Sequence, residues 1–182
     1  MQASELPREP AQIGRSVTDR TESQWIVDAL DLYEDALIRY ATWVLRDSEL
    51  AREVVQETFL RLCREEQTKV GGYVAQWLFT VCRNLAFDTR KREARMTPLE
   101  NAEIGVNSDA ENKEAVGEIF RLVESLPKNQ REVVYLKFQC DLSYKEISEI
   151  TKLSVSNVGF LLHTALRTVR KQVLSESRRR NP

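Results

Sequence analysis

Apolar residues recur along this chain at steps of three and four. Ile26, Leu30, Tyr33, Leu37, Tyr40 and Val44 make one series, and Leu50, Val54 or Val55, Thr58, Phe59 and Leu62 make a second. Residues so spaced share one face of a helix, so two amphipathic helices are predicted. After the Gly71-Gly72 break the pattern predicts a third, from Tyr73 to Arg95. Its first half is apolar (Val74, Trp77, Leu78, Val81, Leu85) and its second half basic. The stretch TPLENAEIGVNSDAENKEA then loses the periodicity, and its Pro98 and Gly105 would break a helix. Residues 96–116 are therefore expected to be a flexible linker.

Periodicity resumes beyond it. Pro127 suits the first position of a helix carrying Val133, Val134, Leu136 and Phe138. Ser143 and Glu146 form an S-x-x-E capping box, with Leu142 and Ile147 placed as a hydrophobic staple. Ser154 is placed to cap a last helix, with Leu153 and Val158 in the same staple positions. The expected fold is all-α, with two small helical domains: three to four helices over residues 22–95, and a second domain over 117–174. Residues 1–21 are expected to be a disordered extension and 175–182 a basic, disordered tail.

Two short helices, Ser143 to Thr151 and Val155 to about Leu174, joined by Lys152-Leu153-Ser154, fit a helix-turn-helix. On the last helix Val158, Leu161, Leu162, Ala165, Leu166, Val169 and Val173 make one core-facing stripe. The opposite face carries Ser156, Phe160, His163, Thr164, Arg167, Arg170 and Lys171. Phe160 lies near the helix start, where a phenyl ring could pack on a thymine methyl or against a neighbouring helix. Ser156 and Asn157 could bond bases or phosphates, or simply cap the helix. Arg167, Arg170 and Lys171 suit phosphate contacts, which position a protein without reading sequence.

Two further constellations carry chemistry. In RNLAFDTRKREAR, Asn84, Asp88 and Lys91 share a face beside Arg83, Arg90 and Arg92. A basic helix with an amide among its charges suits a nucleic-acid strand, although charge runs are usually solvated faces. Trp77 and Phe79 could stack on bases or fill the core. In REVVQETFLRL, turning Val55, Phe59 and Leu62 inward leaves Glu53, Gln56, Glu57 and Leu60 outside. That surface, acidic with one apolar residue, suits a protein partner better than DNA.

Composition narrows the field by exclusion. The 182 residues are 42% hydrophobic and 30% charged, and no apolar run approaches the ~20 residues a membrane helix needs. The start, MQASELPREPAQIGRSVTDR, lacks the apolar core of a signal peptide, so a cytoplasmic site without membrane insertion is expected. Cys63, Cys82 and Cys140 are isolated and His163 is the single histidine, which supports neither a disulfide scaffold nor a zinc site. The cysteines are expected to be buried small side chains. With no glycine-rich phosphate loop and no GxSxG, neither an enzyme nor a cofactor is indicated. Net charge is only −1, but it is unevenly spread: −2 over residues 1–98, −4 over 99–116 and +5 over 117–182. Such asymmetry suits separate surfaces for separate partners.

Taken together, VVQETFLRL, then WLFTVCRNLAFDTRKRE, then a polar linker, then LPKNQREVVYLKF and LSYKEISEITKLSVSNVGFLLHTALRTVRK resemble bacterial RNA polymerase sigma factors of the extracytoplasmic-function type, group IV of the sigma-70 family. The resemblance spans roughly Gln24 to Leu174. It implies a region 2 and a region 4, no catalytic activity, and a role in binding core polymerase, recognising the −10 and −35 promoter elements and helping to melt the DNA. It implies that Glu53, Gln56, Glu57 and Leu60 meet the clamp helices of the largest polymerase subunit, and that the second domain meets the β-subunit flap. It implies that Arg83, Asn84 and the loop from Lys69 to Gln76 read and hold the −10 element, with Arg90, Lys91 and Arg92 on its backbone. Ser156, Asn157, Phe160, Arg167, Arg170 and Lys171 would face the −35 element. The family further implies an anti-sigma partner. The chain departs from many relatives at Gly159-Phe160-Leu161, where they carry a basic or polar trio, and at Lys152, where they often carry glycine. Two other readings fit parts of the chain: a stand-alone helix-turn-helix regulator acting on duplex operator DNA, and a helical protein-binding adaptor.

Overall fold

The computed structural model describes residues 16–96 and 121–180, and every regular element among them is a helix. The first domain contains α1 (Ser16–Leu45), α2 (Ser48–Leu62), the single turn α3 (Gln67–Val70) and α4 (Val74–Met96). Here α1, α2 and α4 pack on one another in pairs. Leu37, Tyr40 and Val44 of α1, Val55, Phe59 and Leu62 of α2, and Leu78, Phe79 and Cys82 of α4 fill the space between them. α1 begins at Ser16, so residues 16–21, expected as part of a disordered extension, are its first turns. The rest of that extension lies outside the described residues, as does nearly all of the expected linker.

Local chemistry sets the corners. Asp47 caps α2, its carboxylate accepting from the backbone of Glu49 at 2.8 Å and Leu50 at 3.0 Å. Between α1 and α2 the chain reverses at Arg46, whose φ of 63° is in the left-handed region. α3 was not expected from the pattern. It ends at Gly71, where a Cβ would sit 2.7 Å from the Gln67 carbonyl oxygen, so no larger residue fits without movement.

The second domain contains a helical turn over 121–124, then α5 (Lys128–Phe138), α6 (Tyr144–Thr151) and α7 (Val155–Arg180). Pro127 is the N-cap of α5 rather than its first residue; its ψ of 144° is extended, and the helix starts at Lys128. The expected capping box of α6 is present: Glu146 donates its backbone N–H to Ser143 Oγ at 3.3 Å, and the Glu146 carboxylate accepts from Ser143 N at 2.7 Å. Leu142 and Ile147, the staple pair, are both buried. α7 runs on to Arg180, past Leu174, so residues 175–180, expected as a disordered tail, continue the helix. Its stripe is buried at Val158, Leu162 and Ala165, while Leu166 and Val173 are exposed. Val169, which lies between them, packs against the core.

The two domains touch. α6 packs on α4, and buried residues of both domains join in one apolar cluster.

Candidate functional site

Three surfaces were anticipated, and the fold distributes them over α2, α4 and α7. On α2, Glu53 and Gln56 are exposed and Leu60 is 47% exposed, while Val55, Phe59 and Leu62 are buried. Glu57 is half-buried and accepts from Arg61 Nε at 2.8 Å, one turn on. The four residues thus lie on the outer side of a helix whose inner side is locked into the core.

On α4, Asn84, Asp88, Arg90, Lys91 and Arg92 are exposed. Arg83 is not part of that open face. Its guanidinium is turned into the domain interface, where Nε and Nη2 bond the two carboxylate oxygens of Glu132 on α5 at 2.6 and 3.2 Å. Burial works to lower the Arg83 pKa, but the hydrogen bonds and charge of Glu132 outweigh it and hold the guanidinium above its ordinary range. Phe79 is 1% exposed and closes the core, so it offers no ring to a base. Trp77 is partly buried against the same core.

On the helix-turn-helix, α6 closes at Lys152, whose φ of 61° and ψ of 24° are left-handed. Ser148 Oγ donates to the Leu153 carbonyl at 2.6 Å, which holds the turn. Ser154 Oγ then accepts from Asn157 N at 3.2 Å and caps α7. Ser156, Asn157, Phe160, Arg167, Arg170 and Lys171 are all exposed, and Phe160 has 65% of its surface open. At ~1.5 Å rise per residue the group extends over roughly 22 Å of helix, from a polar and aromatic start to a basic end.

A further constellation escaped the pattern, and it joins the domains. Glu132 is 3% exposed and also accepts from the Tyr40 hydroxyl at 2.9 Å. Glu124 accepts from Arg46 at 2.6 Å, Arg131 at 2.8 Å and the Trp43 indole at 3.2 Å. The Tyr135 ring stacks on Trp43 with centroids 4.8 Å apart, and its hydroxyl donates to the Arg39 carbonyl at 3.0 Å. Lys128 Nζ and the Arg83 guanidinium lie over the Phe87 ring at 4.6 and 4.9 Å. One signal was available: Glu132 stands one turn before buried Leu136, on a face that should be apolar.

Of the cysteines, Cys82 is buried, Cys140 partly so and Cys63 exposed, the last contrary to expectation because it caps the solvent-facing end of α2. Among the described residues no group of three or more His, Cys, Asp or Glu is placed to hold a metal ion, and no helix is long and apolar enough to cross a membrane.

Comparison with known proteins matches residues 29–96 to Sigma-70 region 2 and residues 117–169 to Sigma-70, region 4. The ECF RNA polymerase sigma factor SigM of Bacillus subtilis is 28% identical over 146 residues, covering 77% of this chain and 90% of the relative. SigW of the same organism is 23% identical over 163 residues, covering 80% and 87%. Among solved structures, the sigma factor RpoE of Bartonella quintana, in complex with the anti-sigma factor NepR, shares the fold with a TM-score of 0.61 at 19% identity. That match covers 86% of this chain and 98% of the other.

Proposed function

This chain belongs to the sigma-70 family, as a sigma factor of the extracytoplasmic-function type, and on that premise we propose how its surfaces divide the work of starting transcription. Residues 22–95 act as region 2 and residues 117–174 as region 4, with 96–116 as the tether. The chain is a non-catalytic subunit that works in the cytoplasm, without a cofactor, by placing core polymerase on promoter DNA.

The α2 face of Glu53, Gln56, Glu57 and Leu60 docks on the clamp helices of the largest polymerase subunit. Acidic residues around an exposed leucine suit a basic and apolar partner surface and repel DNA. The exposed face of α4 takes the −10 element. Asn84 offers an amide to a base, and Arg90, Lys91 and Arg92 hold the backbone; Arg83 joins them once Glu132 releases it. Capturing a flipped base stabilises the opened strand, offsetting the few kcal/mol of unstacking. Binding energy thereby becomes melting without an ATP site.

α7 takes the −35 element while its domain meets the β-subunit flap. Ser156, Asn157 and Phe160 stand at the end of the helix that enters a major groove, and Arg167, Arg170 and Lys171 follow the phosphates. Two domains on one tether bind cooperatively through effective concentration, so both elements must be present together. RpoE is found with an anti-sigma factor, which supports a comparable protein partner for this chain.

The observation that carries the reading is the pair of region matches in family order, each on a domain with an exposed basic helix face. The stand-alone regulator leaves the region 2 match without a purpose. To test the docking face, core polymerase is titrated with the chain and with a Glu53→Ala, Gln56→Ala, Leu60→Ala variant. Affinity should drop by about tenfold or more with helix content unchanged; an unchanged affinity would remove α2 from the polymerase contact.

A further inference from the structure

We propose that Tyr144, Val155 and Phe160 form an apolar reading surface that selects neighbouring A·T pairs in the −35 element by the C5 methyl groups of their thymines. The proposal rests on the sigma-factor reading above and deepens it, by naming the class of sequence that α7 accepts.

The beginning of α7 carries no charge. From Val155 to Leu166 there is no lysine, arginine, aspartate or glutamate, and the first charged residue of the helix is Arg167. Yet the first turns are the part of such a helix that meets base edges. Guanine presents two acceptors there, O6 and N7, which suit the donors of arginine or lysine. The start of α7 has neither. It exposes 47% of Val155 and 65% of Phe160 instead, and α6 adds Tyr144, its first residue, at 44%.

These three side chains make one surface. Val155 and Gly159 are one turn apart on the same side of α7, and Phe160 follows Gly159. Two carbons of the Tyr144 ring lie 3.6 and 3.9 Å from the place a Cβ of Gly159 would take. The ring therefore rests against α7 at the position that has no side chain, next to Val155 and Phe160. Hydrogen bonds to the side chains of Ser143 and Ser154 fix the starts of α6 and α7, which holds Tyr144 and Val155 in a set relation.

The setting of this patch points to DNA. Tyr144 and Val155 stand in the first turns of two helices, where the backbone dipoles place positive potential. Further along α7 come exposed Arg167, Arg170 and Lys171. An apolar patch flanked by positive potential fits the floor of a groove walled by phosphates. On the major-groove floor the apolar group that a base edge offers is the thymine C5 methyl. Exposed Asn157 suits N6 and N7 of adenine, the other half of the same pair. Val155 and Phe160 are ~7.5 Å apart along the helix axis, about two base-pair steps of ~3.4 Å, so the pairs read are neighbours.

The test uses holoenzyme assembled from core polymerase and the full chain. It first selects promoters from a duplex library randomised over the −35 element. Each thymine of a selected element is then replaced by deoxyuridine, which removes the methyl and keeps every hydrogen-bonding group. The selected elements should share at least two neighbouring A·T pairs. Loss of one methyl should weaken holoenzyme binding about fourfold, and loss of two by about tenfold or more. Deoxyuridine in the spacer should change nothing. Phe160→Ala and Val155→Ala/Tyr144→Ala should bind the unmodified promoter more weakly and each become indifferent to one of the methyls, whereas Tyr144→Phe should respond as wild type. All three residues are exposed, and an unchanged affinity for core polymerase confirms that the variants are folded. Equal binding of thymine and deoxyuridine promoters overturns the proposal, as does methyl sensitivity that persists in the alanine variants or a selected element without neighbouring A·T pairs. If wild-type holoenzyme selects no promoter at all, the sigma-factor reading falls, and the proposal with it.

Discussion

The Tyr40 hydroxyl donates a 2.9 Å hydrogen bond to Glu132, a residue 92 positions further along the chain and in the other domain. Tyr40 has no exposed surface, and burial first, then the Glu132 charge, holds its phenol well above the ordinary tyrosine range. It stays a donor at any physiological pH. Tyr40→Phe keeps the ring and removes the bond, leaving Glu132 with Arg83 alone. We expect a loss of about 1 to 2 kcal/mol in urea unfolding of the full chain. A loss below the error of that measurement would mean the domains are apart in solution.

The same interface should respond to acid through Glu124. Burial works to raise its pKa, but hydrogen bonds from Arg131, Arg46 and Trp43, with the charge of Arg46, outweigh it and leave it below the ordinary value. A depressed carboxylate contributes stability that is complete above the unfolded value of ~4.3 and is lost as pH falls through the folded value. The melting temperatures of wild type and Glu124→Gln should therefore differ at neutral pH and converge below pH ~4. Curves that stay parallel into acid would show that the carboxylate charge contributes nothing.

The helix-turn-helix should be easy to stabilise. Lys152 is held at a φ of 61°, which glycine adopts freely and a residue with a Cβ does not. Lys152→Gly should gain about 1 kcal/mol. Gly159 sits inside α7, and a Cβ there would meet the Tyr144 ring at 3.6 Å, an ordinary contact. Gly159→Ala should gain roughly 0.5 to 1 kcal/mol. Calorimetry checks both; a destabilised Lys152→Gly would show that the lysine side chain holds the turn.

Promoter binding by the holoenzyme should separate positioning from reading. Arg170→Ala and Lys171→Ala should weaken binding to all −35 variants about equally and each lower the salt dependence by roughly one counterion. Phe160→Ala should weaken binding mainly to promoters with thymine at one −35 position, by about 1 kcal/mol or more. A uniform loss from Phe160→Ala would move that ring from base contact to packing.

What could be read from the sequence was local. Helix starts at Ser143 and Ser154 are fixed by bonds reaching three residues, and Val55, Phe59 and Leu62 declare their face by spacing alone. The helix-turn-helix follows from such short-range terms. Periodicity names a face without saying what covers it, which is why Leu166 and Val173 fit the stripe of α7 yet remain exposed. Arg83 shows the larger gap. Spacing groups it with Asn84 and Lys91, but a partner 49 residues away turns it inward, and nothing in RNLAFDTRKREAR records that pairing. Glu132 could have been singled out as a charge on an apolar face, though not matched to Arg83.

The most direct test of the central claim is transcription in vitro from a promoter library, with purified core polymerase in the presence and absence of the chain. The account predicts discrete start sites only when the chain is present, each preceded by two shared sequence elements. Those starts should disappear with Glu53→Ala/Gln56→Ala/Leu60→Ala. Start sites that are the same with and without the chain, using a cognate core known to be active, would contradict it.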